Sequence, residues 1–307
     1  MEVFIIAAIV GFFIGIFSGL LGIGGGTIMI PIFRLGFGME AIASTATSMF
    51  TIIPTSIGGF ITHIKNKTCI PKLGLAAGLA GACTSPVGVY LASISPSWAI
   101  MFAAACIIGY SAISMFVKAV RMPKVDKTAK KLARRKAAVS AAQATAVSGT
   151  AAAQATADAA PAEPKPEIPH LTGKQLAQGG LIGLVAGLAS GYVGVGGGFL
   201  MVPLFVSVLG VMMKQASGTS LVAVTLLAIP GAIEQALLGN IHFTAGIAIA
   251  IGSIPGAVVG ASLIRYVPER ALRMLFGVFL FFSAVILAVN EFVYLYFKFL
   301  ADRFAYL

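Results

Sequence analysis

Charged residues are scarce in this sequence. Asp, Glu, Lys and Arg make up 10% of its 307 residues, whereas 58% are hydrophobic. Soluble domains average about 25% charged residues, so the composition excludes an ordinary soluble domain. Several apolar stretches exceed the roughly 18–20 residues needed to cross a hydrocarbon core, and the mean hydropathy is +0.98. The chain is therefore predicted to be an integral membrane protein.

The sequence also lacks the residue patterns of an enzyme or a metal site. Its three cysteines, Cys69, Cys83 and Cys106, show no CxxC or metal-ligand spacing and are interpreted as small buried residues. No nucleophile is paired with a base, and no lysine follows the glycine runs as it does in a nucleotide-binding loop. We expect no enzymatic activity, no metal and no cofactor.

Acidic residues are outnumbered by basic ones, mostly in one segment. The net charge is +11, of which +7 lies between Lys118 and Lys174, where eleven basic residues accompany four acidic ones. Residues 122–172 are rich in Ala, Lys, Thr, Gln and Pro and are predicted to be a linker without a fold of its own. A basic loop marks the cytoplasmic side of a membrane protein. We favour a cytoplasmic tether over a DNA- or lipid-binding element and expect no nucleic acid partner.

Glycine is abundant in one phrase that the sequence contains twice. The first copy is Gly22-Ile23-Gly24-Gly25-Gly26, followed by Pro31, and the second is Gly194-Val195-Gly196-Gly197-Gly198, followed by Pro203. An offset of 172 residues relates the copies and also matches Thr47-Ser48 with Thr219-Ser220. This register without gaps indicates duplication of a whole structural unit. We predict one transmembrane repeat in residues 1–121 and a second in 173–307.

Each repeat is predicted to contain four hydrophobic helical segments. They are residues 3–37, 41–63, 72–92 and 97–117 in the first half, and 175–210, 216–239, 243–264 and 270–297 in the second. A 35-residue helix would be about 50 Å long, against a hydrocarbon core of about 30 Å. The first segment of each half should therefore break at its glycine run. The sequence leaves open whether the break closes a hairpin or only kinks one span.

The distribution of Lys and Arg favours inverted repeats. If each glycine phrase closes a hairpin, each half crosses the membrane an odd number of times, and the halves are inverted. Seven basic residues then lie on the linker side and three lie outside, whereas a kinked span gives five on each side. Basic residues accumulate in the cytoplasm, so we predict inversion, with both termini outside.

The glycine runs are candidates for an anion site. Each run precedes an apolar helical stretch, and a helix N-terminus carries unpaired N–H donors and a partial positive charge. Two such ends that meet near the membrane midplane could hold a small oxyanion without a formal cation. The alternative is close helix packing through small residues. The candidate substrate-binding residues are Ser18, Gly22, Gly24, Gly25, Gly26, Thr27, Thr47, Ser48, Ser190, Gly194, Gly196, Gly197, Gly198, Thr219 and Ser220.

Ionisable residues within the predicted segments are candidates for coupling to a proton. Glu234 is the clearest, because an intramembrane acid is expensive to bury and is usually functional. His63 and Gln235 share one repeat position and complete the set of coupling candidates. For His63 we favour a place near the segment end, in contact with interfacial water, and for Glu234 the two alternatives are balanced.

The duplicated phrase, with the Thr47-Ser48 and Thr219-Ser220 pairs and with His63, resembles the sulfite exporter TauE/SafE family. The resemblance covers both halves, and the long linker departs from compact members. It implies secondary transport of small, often sulfur-containing anions, such as sulfite and the organosulfonate sulfoacetate, across a bacterial inner membrane. We expect a small anion and the lipid bilayer as partners, and leave a coupling proton and a homo-oligomer open. An anion channel, or a membrane scaffold that acts through the linker, is the alternative.

Overall fold

All regular structure in the described part of the chain is helical. The computed structural model describes residues 2–121 and 172–304, so the predicted linker lies outside the described residues except for Thr172. The helices of the first half are α1 (Glu2–Leu21), α2 (Gly26–Gly36), α3 (Ala41–Lys65), α4 (Pro71–Ile94) and α5 (Ser97–Arg121). Those of the second half are α6 (Gly173–Val193), α7 (Gly198–Val208), α8 (Met213–Leu237), α9 (Phe243–Leu263) and α10 (Glu269–Phe304).

Within these ranges, seven helices are long and apolar enough to cross a membrane, which makes the chain an all-α integral membrane protein. They are α1, α4, α5, α6, α8, α9 and α10. α3 has 25 residues but is not among them, because hydroxyl residues interrupt its apolar sequence. Most of these hydroxyls are buried, so protein and not lipid surrounds this face of α3.

The first segment of each half is broken at its glycine phrase, as predicted. Residues 22–25 separate α1 from α2, and residues 194–197 separate α6 from α7. In the first half the break closes a hairpin, because Ala7 near the start of α1 lines one cavity with Phe37 and Met39, which follow α2. The short helix α2 therefore returns toward the end of the molecule from which α1 starts.

Each half packs its first helix against a helix of the other half. α1 lies on α9, and α6 lies on α4. Glycines on α1 and α6 face backbone carbonyls of the partner helix, at positions where a Cβ atom would not fit. On α1, Gly11, Gly15 and Gly19 face Ile249, Ser253 and Ala257, and on α6, Gly183, Gly187 and Gly191 face Ala77, Gly81 and Ser85. The paired numbers rise together, so both helix pairs are parallel, and the offset of 172 converts one set of contacts into the other.

The equivalent helices α3 and α8 cross in the middle of the molecule and run antiparallel. Thr225 on α8 donates a hydrogen bond of 2.9 Å to Ser56 on α3. Gly218, near the start of α8, lies against His63, near the end of α3, and Gly231 lies against Met49. The order of these contacts along the two helices is opposite.

Candidate functional site

The two glycine phrases meet in the interior of the protein. Gly26 contacts the carbonyl of Val195, and Gly198 contacts the backbone of Gly22 and Ile23. Residues 21–27 and 193–200 are buried throughout. Because the two chains touch through their backbones, a side chain at either contact would push the phrases apart. The structure thus brings together the two sets of glycines that the sequence singled out.

The phrases turn sharply because their glycines adopt left-handed backbone conformations. Gly24 and Gly25 have φ angles of 82° and 89°, and Gly196 and Gly197 have φ angles of 88° and 68°. Residues with a side chain are strained in this region. Each turn ends in a left-handed glycine that serves as the N-cap of the next helix, Gly25 for α2 and Gly197 for α7. Neither cap has a side-chain capping hydrogen bond.

Uncapped helix N-termini leave N–H donors for a ligand. The first N–H groups of a helix have no intrahelical acceptor, and the aligned peptide dipoles place roughly half a positive charge at that end. In α7 one of them is used internally, since the N–H of Gly198 donates to the carbonyl of Gly196 at 2.8 Å. The end of α2 is therefore the better supplied with free donors.

Four of the predicted hydroxyls are buried without a hydrogen-bond partner among the described residues. They are Ser18, Thr27, Ser48 and Ser190. Ser18 packs against Gly25, and Ser190 packs in the same way against Gly197. A buried hydroxyl that lacks a partner costs about 1–3 kcal/mol, so these groups are candidates for binding a polar ligand.

The other predicted hydroxyls have partners within the protein. Thr47 accepts a hydrogen bond of 3.0 Å from the N–H of His242, and Thr219 accepts one of 2.9 Å from the N–H of Ile70. Ser220 donates to the carbonyl of Gly22 at 2.6 Å. These residues hold loops and the first glycine phrase in place.

The middle of the site contains two apolar side chains that the sequence analysis missed. Ile52 of α3 and Val224 of α8 each lie against both Gly24 and Gly196. Both are fully buried. Their positions differ by 172 residues, each one helical turn after Ser48 or Ser220, so the repeat register could have identified them.

The expectation that His63 contacts interfacial water is wrong. Its side chain has no exposed surface. The Nε2 atom lies 2.8 Å from the carbonyl of Gly19, and the Nδ1 atom lies 2.8 Å from the hydroxyl of Thr68. Because a carbonyl only accepts, Nε2 carries a proton. His63 therefore ties α3 to a C-terminal carbonyl of α1, next to the glycine phrase.

The other coupling candidates lie near the end of α8. Gln235 is buried and accepts a hydrogen bond of 2.8 Å from Asn240. Glu234 is half-buried, and one of its carboxylate oxygens has no partner among the described residues. Ten residues of helix separate Glu234 from Val224, or about 15 Å, so neither residue contacts the glycine phrases.

A cavity of about 670 Å³ opens at one end of the molecule. We call this end the vestibule end. The cavity is lined by Phe4, Ala7, Phe37, Gly38, Met39, Glu40, Ala43, His242, Thr244, Ala245 and Ala248. Between it and Gly25 lie the buried side chains of Ile14, Met29 and Phe33, so the cavity does not reach the glycine phrases in this conformation.

Comparison with known proteins agrees with this architecture. The family model described as "Sulfite exporter TauE/SafE" matches residues 7–287. The Bacillus subtilis protein named "Probable membrane transporter protein YunE" is 24% identical over 286 residues, which cover 90% of this chain and 94% of that protein. "Probable membrane transporter protein YdhB" of the same organism is 23% identical, with 86% and 92% covered.

A shorter similarity joins the chain to a much longer protein. "Probable membrane transporter protein MamO" of Paramagnetospirillum magneticum is 34% identical over 105 residues, 32% of this chain and 16% of that protein. No solved structure gives a significant match. On the match that spans nearly the whole chain, the protein belongs to the sulfite exporter TauE/SafE family.

Proposed function

We propose that the protein is a secondary transporter of a small sulfur-containing anion, such as sulfite or an organosulfonate like sulfoacetate. The observation that carries the proposal is the meeting of two uncapped glycine helix ends beside the buried hydroxyls of Ser18, Thr27 and Ser190, which have no partner among the described residues. N–H and O–H donors in a dry interior suit an oxyanion. None of the atoms nearest to the glycines of the two phrases belongs to a Lys or Arg side chain, and a site built from dipoles can release its ligand readily.

We further propose that the two halves are inverted repeats that rock about this site to give alternating access. The antiparallel crossing of α3 and α8 supports an axis in the membrane plane, because equivalent helices of the halves point in opposite directions. The exchange of the α1–α9 and α6–α4 contacts supports a two-fold relation between the halves. Substrate sites at such repeat interfaces are common in secondary transporters.

The orientation and the coupling ion are also part of the proposal. Five basic residues lie at the end opposite the cavity: Lys65, Lys67, Lys72, Lys214 and Arg265. We assign this end to the cytoplasmic side of a bacterial inner membrane. This places the linker inside and the vestibule outside. His63, Gln235 and Glu234 stay the candidates for coupling transport to a proton.

A flux assay in proteoliposomes with labelled sulfite and sulfoacetate tests the site. Gly25→Ala should reduce uptake at least tenfold, because the new methyl group covers the end of α2. Gly210→Ala is the matched control: Gly210 has a φ angle of 66° and no atom within 4 Å of its Cβ position. Both variants carry left-handed strain of about 1–2 kcal/mol, and only the first touches the site. Equal uptake by the two variants contradicts the site assignment.

The hydroxyls are tested by volume-conserving changes. Ser18→Ala and Ser190→Ala should each weaken uptake several-fold at low substrate concentration, with unchanged or slightly higher melting temperature, since an unpaired buried hydroxyl is removed. Ser262→Ala, at a partly buried residue of α9 whose hydroxyl bonds its own helix, is the control.

The same vesicles separate the alternative functions. In vesicles preloaded with unlabelled anion, a transporter drives transient accumulation of labelled anion by counterflow. A channel only lets the labelled anion equilibrate. Deletion of residues 124–165 should leave the flux intact, and loss of flux favours a function that acts through the linker.

A further inference from the structure

We infer that Ile52 and Val224 together form the surface on which the substrate's carbon substituent rests, and that they set its size. We call these two residues the sizing pair. The inference rests on the proposed function, since it names the part of the proposed site that selects among anions. Within the proposed substrate class it favours organosulfonates, whose first carbon can lie on these two side chains, over sulfite and sulfate, which have no carbon.

The first argument is position. A Cβ atom on Gly24 would lie 2.9 Å from Val224 Cγ1 and 3.2 Å from Ile52 Cγ2. A Cβ atom on Gly196 would lie 2.9 Å from Ile52 Cδ1 and 3.4 Å from Val224 Cγ1. The same two side chains thus cover the inner face of both glycine phrases. A ligand that reaches both phrases must lie against their methyl groups.

The second argument is chemistry. An oxyanion oxygen placed against methyl groups loses its hydration without gaining a hydrogen bond, which is strongly unfavourable. A sulfonate has three oxygens on one side and carbon on the other. Its oxygens can meet the donors at the end of α2, near Ser18 and Thr27, while its carbon lies on the sizing pair. Sulfate has no apolar side, and sulfite has no carbon.

The third argument is the difference between the halves. Ile52 and Val224 occupy one repeat position but differ by one methylene group. Thr27, whose hydroxyl has no partner, corresponds to Phe199 in the second phrase. The first half therefore supplies more polar groups to the site, and the two ends of an asymmetric substrate meet different surroundings.

The test measures uptake of methane-, ethane-, propane- and butanesulfonate, with sulfite and sulfate, by mass spectrometry of washed proteoliposomes. Ile52→Val enlarges the site by one methylene. Near the size limit, the ratio of the uptake of each alkanesulfonate to that of the alkanesulfonate one carbon shorter should rise by about fourfold. Val224→Ile should lower that ratio by a similar factor. Ile108→Val, at a fully buried residue of α5, loses the same methylene elsewhere and should leave the profile unchanged.

The outcomes separate this inference from the proposed function. Opposite shifts by the two variants support the sizing pair. If the wild type takes up sulfite or sulfate at least as fast as the alkanesulfonates, the inference is overturned and the transporter stands. The same holds if both variants keep the wild-type profile while their melting temperatures match that of Ile108→Val. If the wild type carries none of these anions, the proposed substrate class fails, and the inference fails with it.

Discussion

The two ends of the molecule are equivalent in the repeat register but differ in packing. At the vestibule end, Ala7 and Ala245 line the cavity. The equivalent residues at the opposite end are Gly179 and Leu73, and the Leu73 side chain packs directly onto Gly179 and is fully buried. We call this the closed end. The comparison shows that a few side-chain volumes at equivalent positions decide which end is filled.

The closed end and the vestibule end also differ in their polar contacts. At the closed end, Glu269 of α10 accepts a hydrogen bond of 3.2 Å from the N–H of Met213, the first residue of α8, and forms an ion pair with Arg273. The equivalents of Glu269 and Met213 in the first half are Ser97 and Ala41, so the first half has no carboxylate at the position of Glu269. The closed end is held by charge as well as by packing.

The largest effect is expected from Leu73→Ala, which removes the side chain that fills the closed end. The buried cavity should lower the free energy of unfolding by about 2–5 kcal/mol, seen as a lower melting temperature, whereas Leu73→Met should cost less than about 1.5 kcal/mol.

Cys69 reports on the same change. It lies in the loop beside Leu73, and burial raises the pKa of its thiol to about 11, so little reactive thiolate forms at pH 7.5. Cys83 and Cys106 are exposed, contrary to the expectation from the sequence that they are buried. In a background in which both are replaced by alanine, Leu73→Ala should speed maleimide labelling of Cys69. Labelling at the wild-type rate argues that Leu73 does not close this end.

The second largest effect is expected from substitution of His63, which occupies the same repeat position as Gln235. His63→Leu should cost about 1–3 kcal/mol, because it leaves the carbonyl of Gly19 without its side-chain donor. His63→Gln installs the residue that the chain uses at the vestibule end and should cost less than about 1 kcal/mol. Thermal unfolding in detergent measures both, and equal losses would contradict the assignment of this hydrogen bond.

Filling the vestibule should make the two ends more alike. Ala245→Leu puts a leucine at the vestibule position equivalent to Leu73. It should reduce anion flux at least tenfold, which corresponds to about 1.4 kcal/mol, and should not lower the melting temperature. Ala245→Ser, which keeps the cavity, is the control. Flux that survives the leucine would mean that the substrate does not pass through this cavity.

The smallest effect is expected from Glu269→Gln. The carboxylate and Arg273 are partly exposed to solvent, so the ion pair contributes only about 1 kcal/mol. Faster labelling of Cys69 in the glutamine variant, by a few-fold, is the expected result. Raising the salt concentration should speed labelling of the wild type and leave the variant unchanged.

Much of the helical architecture follows from the sequence, because apolar length and glycine runs act locally. The helices fall in the segments that hydropathy marks, and the breaks fall at Gly22–Gly26 and Gly194–Gly198. Burial of His63 could not be predicted, since it depends on a carbonyl that α1 presents from 44 residues away. Which hydroxyls have partners is equally a matter of tertiary contacts: Ser48 and Ser220 share one repeat position, and only Ser220 bonds the first glycine phrase.

The exchange of helices between the halves has a consequence for biosynthesis. α1 emerges first but packs against α9, whose residues are made some 240 positions later. At about 5–20 residues per second, the glycine face of α1 waits roughly 10–50 s for its partner. During that time it must lie in lipid or against a chaperone. Two polypeptides cut within the linker should therefore assemble when they are made together, whereas either half made alone should be degraded.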